Sequence, residues 1–211
     1  MKKHILILML TSFLLFTFSS TDAQKKYHKK DDPTFGLGVK AGINYASQST
    51  SSGAADVDVT SVLRMNGGVY ANYFFFDFLA VQPELMLSGK GLHWKDQFSD
   101  AEDILTYIEM PILIKYQPVK MLNIHAGPEF GYRLNATQKN LDNGQKTDIK
   151  NYYSNFDIGL ALGVEANLPF RINLTVRYVM GLNTVYTGTE NNEKWKNNYF
   201  QISAGYRIFG K

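Results

Sequence analysis

Leu122-Asn123-Ile124-His125-Ala126-Gly127-Pro128-Glu129-Phe130-Gly131-Tyr132-Arg133 is the stretch that decides how this chain folds. Leu122, Ile124, Ala126, Pro128, Phe130 and Tyr132 take every second place, with Asn123, His125, Gly127, Glu129, Gly131 and Arg133 between them. A period of two is that of a β-strand, in which successive side chains point to opposite faces. The same beat returns in seven further segments: Phe35–Tyr45, Leu63–Phe74, Val81–Ser88, Tyr107–Gln117, Phe156–Leu168, Arg171–Met180 and Tyr199–Ile208. Each is close to the roughly 9–11 residues that a tilted strand needs to cross a bilayer.

Composition agrees. The chain has 211 residues, with 14 Phe, 13 Tyr and 17 Gly but only 6 Pro. Aromatic residues favour strands, and glycine serves tight turns while disfavouring helices. A net charge of +3 from dispersed Lys and Arg leaves no footprint for nucleic acid, which is excluded as a partner. The absence of cysteine rules out disulfides, thiolate metal sites, a cysteine nucleophile and a lipoprotein anchor.

At the N-terminus, Met1-Lys2-Lys3-His4 precedes an apolar run from Ile5 to Phe18, followed by Thr21-Asp22-Ala23. A basic start, an apolar stretch too short for a spanning helix and small residues at −3 and −1 make a secretory signal. Cleavage is expected after Ala23.

Alternation alone also suits a soluble sandwich or a lipocalin-like barrel, so the connections must choose. Phe75–Ala80, Pro118–Met121 and the link around Pro169 are short, whereas Ala46–Val62, Gly89–Thr106, Leu134–Asn155 and Gly181–Asn198 are long. Strict short–long alternation is the asymmetry of outer-membrane barrels, with turns facing the periplasm and loops facing outward. Aromatics gather at both strand ends, as interfacial girdles require: Tyr45, Phe130, Tyr132, Tyr152, Tyr153, Phe156 and Phe200 on the loop side, with Phe35, Tyr73, Phe76, Phe78, Tyr116, Phe170 and Tyr206 on the turn side. The sequence therefore predicts an all-β, eight-stranded antiparallel transmembrane β-barrel over residues 35–211. A cleaved signal peptide (1–23) and a basic periplasmic tail (24–34) precede it. Localisation is the cell outer membrane, with both termini periplasmic.

The chain resembles the PorT-type outer-membrane β-barrel family of Bacteroidota. The resemblance rests on Gly38-Val39-Lys40-Ala41-Gly42-Ile43-Asn44, on Val81-Gln82-Pro83-Glu84-Leu85-Met86-Leu87-Ser88-Gly89-Lys90-Gly91 and above all on Tyr107-Ile108-Glu109-Met110-Pro111-Ile112-Leu113-Ile114-Lys115-Tyr116. Gly127-Pro128-Glu129-Phe130-Gly131 and Gly205-Tyr206-Arg207-Ile208 add to it. It implies the barrel fold and an association with protein secretion, and it brings no catalytic residues with it.

The polar faces of the segments converge on an expected lumen network: Lys40, Arg64, Glu84, Glu109, Lys115, His125, Glu129, Arg133, Asp157, Glu165, Arg171, Arg177 and Arg207. An eight-stranded barrel is about wide enough to be filled by its own side chains, so buried charges must pair. Tyr70, Met86, Leu113 and Tyr199 are expected to share that interior. Glu165 is expected to meet Arg171 across a short turn, and Asp157 to lie near Arg177.

No catalytic, cofactor-binding or metal site is expected, since no HExxH, EF-hand loop, Walker A motif or dinucleotide fingerprint occurs. His93 with Ser99 and Asp100 is the one imaginable nucleophilic set. The long loops, including Trp195 and the Asn143-Gly144 turn, are where recognition is expected. The expected partners are outer-membrane lipid and, through the loops, other outer-membrane or secretion-system proteins. The functional reading is a structural or interaction component of secretion or surface assembly. The alternatives are a narrow small-solute pore and a lipid-acting outer-membrane enzyme.

Overall fold

Glycine-punctuated, strictly alternating segments have no use for helices, and among the described residues only two three-residue 3-10 turns occur. The computed structural model describes residues 34–50, 58–95, 100–186 and 195–210. The signal and the basic tail up to Pro33 lie outside the described residues, and Thr34 opens the first strand. The strands are β1 (Thr34–Thr50), β2 (Asp58–Thr60), β3 (Val62–Phe76), β4 (Leu79–Lys95), β5 (Asp100–Val119), β6 (Leu122–Asn140), β7 (Lys146–Asp148), β8 (Phe156–Asn167), β9 (Ile172–Gly181) and β10 (Trp195–Gly210). Eight of them close a ring in the order β4-β3-β1-β10-β9-β8-β6-β5 and back to β4. All its pairings are antiparallel. β2 continues the line of β3 alongside β4, while β7 adds to β6. Closure leaves no unpaired barrel edge, which is what allows a sheet to sit in hydrocarbon.

Alternation becomes an inside and an outside. In β9, Ile172, Leu174, Val176, Tyr178 and Met180 are exposed while Asn173, Thr175, Arg177 and Val179 are buried. β8 repeats this with Phe156, Ile158, Leu160, Leu162 and Val164 facing out. Apolar side chains left open on every barrel strand, Met65 at 81% among them, form a belt that makes sense only against lipid. Rings pair along its rims: Tyr132 with Phe156 at 5.4 Å, Tyr178 with Phe200 at 4.7 Å, and Phe78 with Tyr116 at 6.1 Å.

The turns at one end are as short as expected. At the other end the strands outrun the sequence reading. The segment read as the loop Gly89–Thr106 is mostly an extended β4–β5 hairpin, paired from Gly89↔Thr106 to Lys95↔Asp100. Likewise β1 runs on to Thr50 and β6 to Asn140. Beyond the bilayer the outer face need not be apolar, so the alternation fades while the backbone ladder continues.

Candidate functional site

Two interlocked sets of charges fill the interior. Glu84 on β4 accepts Lys40 Nζ of β1 at 2.8 Å and Gln82 Nε2 at 2.6 Å. The Arg177 guanidinium of β9 forks onto the same carboxylate, Nη1 to Oε2 at 3.0 Å and Nη2 to Oε1 at 2.8 Å. Arg177 Nε reaches His125 Nε2 at 3.3 Å. Glu165 on β8 takes Lys115 Nζ at 2.6 Å, together with Asn123 and Thr175, each at 3.2 Å. Lys40 Nζ stands 3.8 Å from Glu165 and ties these two carboxylates together.

Nearer the long-loop end, Lys90 Nζ lies 2.6 Å from Glu109, 2.9 Å from Asp157 and 3.6 Å from Glu129. It also sits over the rings of Tyr107 and Tyr199, at 4.9 and 4.6 Å. The Tyr199 hydroxyl donates to Glu129, and Asn197 Nδ2 donates to Asp157 at 2.7 Å. Removing charges from water costs several kcal/mol each unless they are paired and hydrogen-bonded. Here each cation meets a carboxylate within a ring of strands. Leu113, Tyr199 and Val179 are buried at the same levels of the barrel.

Above the charges the barrel opens into a vestibule. A cavity of about 560 Å³ is walled by Trp94, Tyr152, Tyr153, Tyr186 and Trp195, with Asp103, Gln48 and Gln138 as polar groups. Arg133 sets one wall. Its guanidinium donates to the carbonyls of Lys150, Tyr153 and Ser154, each at 3.1 Å, and to Asn155 Oδ1 at 2.7 Å. That grip fixes the segment carrying Ile149 and Tyr153, which pack on Leu105, Tyr107 and Ala136. Tyr153 then donates its hydroxyl to Asp103 at 2.7 Å. Burial pushes that hydroxyl well above the usual phenol range, so it stays a donor.

A family model described as the outer membrane protein beta-barrel domain matches residues 22–187. The chain belongs to this family. It is an outer-membrane β-barrel protein in fold and membrane. Among solved structures, this outer-membrane barrel is similar to Ail, the attachment invasion locus protein of Yersinia pestis, at TM-score 0.50 and 12% identity, covering 83% of this chain and 99% of that one. Neisserial surface protein A is similar at TM-score 0.51 and 13% identity, again over 83% of this chain and 99% of that one. At such identities the likeness is one of fold. No curated protein matches the sequence.

Of the residues expected in the lumen of this outer-membrane barrel, Lys40, Glu84, Glu109, Lys115, His125, Glu129, Asp157, Glu165 and Arg177 are buried inside. So are Tyr70, Met86, Leu113 and Tyr199. Arg133 is buried but serves the loop segment. Arg207 is half-buried near the short-turn end. Arg64 is a correction: β3 and β4 stop pairing above Asn66↔Ser88, and Arg64 pairs at 2.8 Å with the partly exposed Glu102, whose strand turns Asp103 inward instead.

Arg171 is another. It is exposed, with φ 65° in the β8–β9 turn, and bonds the Ile208 carbonyl at 3.2 Å rather than Glu165. Nor does Asp157 meet Arg177, because the register sets Arg177 opposite Gly163. Tyr153, expected in a girdle, turns inward.

Sequence reasoning missed Lys90, the hub of the upper cluster, by ending the third segment at Ser88. One more step of the same alternation reaches it. His93 is held on both ring nitrogens, by Thr60 at 2.9 Å and Asp100 at 2.7 Å, while Ser99 lies outside the described residues. Among the described residues no group of three or more His, Cys, Asp or Glu is placed to hold a metal ion.

Proposed function

We propose that this outer-membrane barrel is a sealed, non-enzymatic scaffold that presents its long-loop end for contact with another outer-membrane or secretion-system component. On this reading the signal is cleaved after Ala23, both termini stay in the periplasm and the vestibule opens to the outside. The observation that carries it is the contrast between the two levels of the interior. The lower level holds paired, buried charges around Glu84 and Lys90, and the upper is open and aromatic. Porin channels need far more strands than eight to leave a water-filled lumen. The resemblance to PorT-type barrels of Bacteroidota supports protein secretion or surface assembly as the setting.

The test is a gentle-detergent pull-down from native membranes alongside planar-bilayer recording. A defined membrane partner, lost when the Leu141–Gln145 turn is shortened, and no steady conductance are expected. Steady conductance whose selectivity changes in Glu84→Gln would overturn the scaffold in favour of a small-solute pore.

A further inference from the structure

We propose that the vestibule is a receptor for an organic cation, an ammonium or guanidinium group borne on an apolar stem. The inference deepens the loop-end recognition reading and rests on it. Asp103 is the charged side chain among the cavity's lining residues, and it is 5% exposed. Its partners are neutral donors: the Tyr153 hydroxyl at 2.7 Å, Gln138 Nε2 at 3.1 Å and the Trp94 side chain. Among the described residues no basic group pairs with it. Burial raises the Asp103 pKa while its three neutral donors favour the carboxylate; among the described residues no cation compensates it, and an arriving one would stabilise its charged form.

The walls have the shape such a cation needs. Tyr153 and Tyr186 meet at 5.1 Å and 66°, and Tyr186 and Trp195 at 6.3 Å and 76°. Rings set edge to face make corners, and corners of π-faces surround a compact cation, whereas a sugar ring stacks best on one flat platform. Gln48 supplies an acceptor as well. It lines the cavity at 6% exposure, and among the described residues its Oε1 has no partner. Its orientation follows from the network: Asp157 must accept from Asn197 Nδ2, so Asn197 Oδ1 faces Gln48 and takes Gln48 Nε2 at 2.8 Å. The Gln48 carbonyl oxygen is then left for an N–H donor. Guanidinium and primary ammonium carry such donors. The cation comes either as a free small molecule or as a Lys or Arg side chain of a partner protein.

Both tryptophans of the chain, Trp94 and Trp195, line the cavity, so intrinsic fluorescence of the purified full barrel in micelles reads this site alone. Titration with agmatine, tetramethylammonium and a capped Gly-Arg-Gly peptide is expected to give a saturable change, with agmatine binding at least tenfold more tightly than neutral maltose. Saturation by agmatine or tetramethylammonium without the peptide would assign the free ion, and tighter binding of the peptide would assign a protein side chain. Asp103→Asn should weaken the cation at least tenfold while heat-modifiable migration in SDS persists. Tyr152→Leu, at the exposed rim, should weaken it about threefold and serves if Asp103→Asn does not fold. Maltose binding as well as the cations, no saturable response to any cation, or undiminished binding by a folded Asp103→Asn barrel would overturn the proposal. Those failures leave the docking reading standing, which falls instead if the loop end is inaccessible from outside cells.

Discussion

Replacing Glu84 by Gln keeps the size of the side chain and removes one charge from a place where water cannot compensate. Glu84 has 0% side-chain exposure and accepts four hydrogen bonds, from Lys40, Gln82 and twice from Arg177. Without the carboxylate, Arg177 has no acidic partner within 4.0 Å among the described residues, and Lys40 keeps only Glu165 at 3.8 Å. Breaking a buried pair from one side costs about 3–5 kcal/mol. Urea unfolding in micelles, followed by heat-modifiable migration, should register this directly. With a slope of about 2 kcal/mol per M, the midpoint should fall by about 2 M. The double substitution Glu84→Gln with Arg177→Met removes the forked pair as a unit and should cost less than Glu84→Gln alone, since deleting both partners leaves less uncompensated charge. A midpoint within 0.5 M of the parent for the single variant, or a double variant worse than the single, would refute the paired-plug account.

Three further outcomes follow from the same coordinates. Leu162→Arg, in the middle of the exposed face of β8, should cost about 2–4 kcal/mol in lipid, whereas Phe170→Arg in the turn should cost about 0–1 kcal/mol. Equal tolerance in a vesicle refolding assay would deny lipid contact to Leu162. A cysteine at Asn143 should react with an impermeant maleimide on intact cells and one at Lys120 should not, and the opposite pattern would invert the barrel. Arg133→Gln should cost about 2–4 kcal/mol locally by freeing three loop carbonyls, seen as faster hydrogen exchange over 149–155 with the barrel amides unchanged. Uniform destabilisation of the whole barrel would instead make Arg133 part of the plug.

What the sequence made legible is what the membrane enforces. Lipid demands an apolar residue at each outward position, so Ile158 to Val164 and Ile172 to Met180 announce their strands and their phase. Where that demand stops, so does the signal. Leu92 and Trp94 continue the inward phase of β4, yet with polar neighbours outside they read as loop, and the vestibule they help build stayed hidden. Lumen pairs were illegible for another reason: they join strands distant in sequence, such as Lys40 with Glu84 and Lys90 with Asp157, and depend on the tilt and stagger of the closed ring. Arg171 failed because the turn's positive φ breaks the two-residue period that placed it inside.

The seam of the barrel bears on how the molecule comes into being. β1 joins β10, so Gly36 finds its partner in Gly210, at the far end of the chain. Until the last strand has been delivered, β1 is paired on one side only, with β3. The ring is thus shut by its longest loop closure, the entropically slow kind of step. Until then β1 presents a raw edge able to pair with any other extended chain. The interval between export and closure is therefore when this protein is most exposed to aggregation. Trimming β10 would prolong that interval indefinitely, leaving a curled open sheet whose apolar belt and charged interior share the same water.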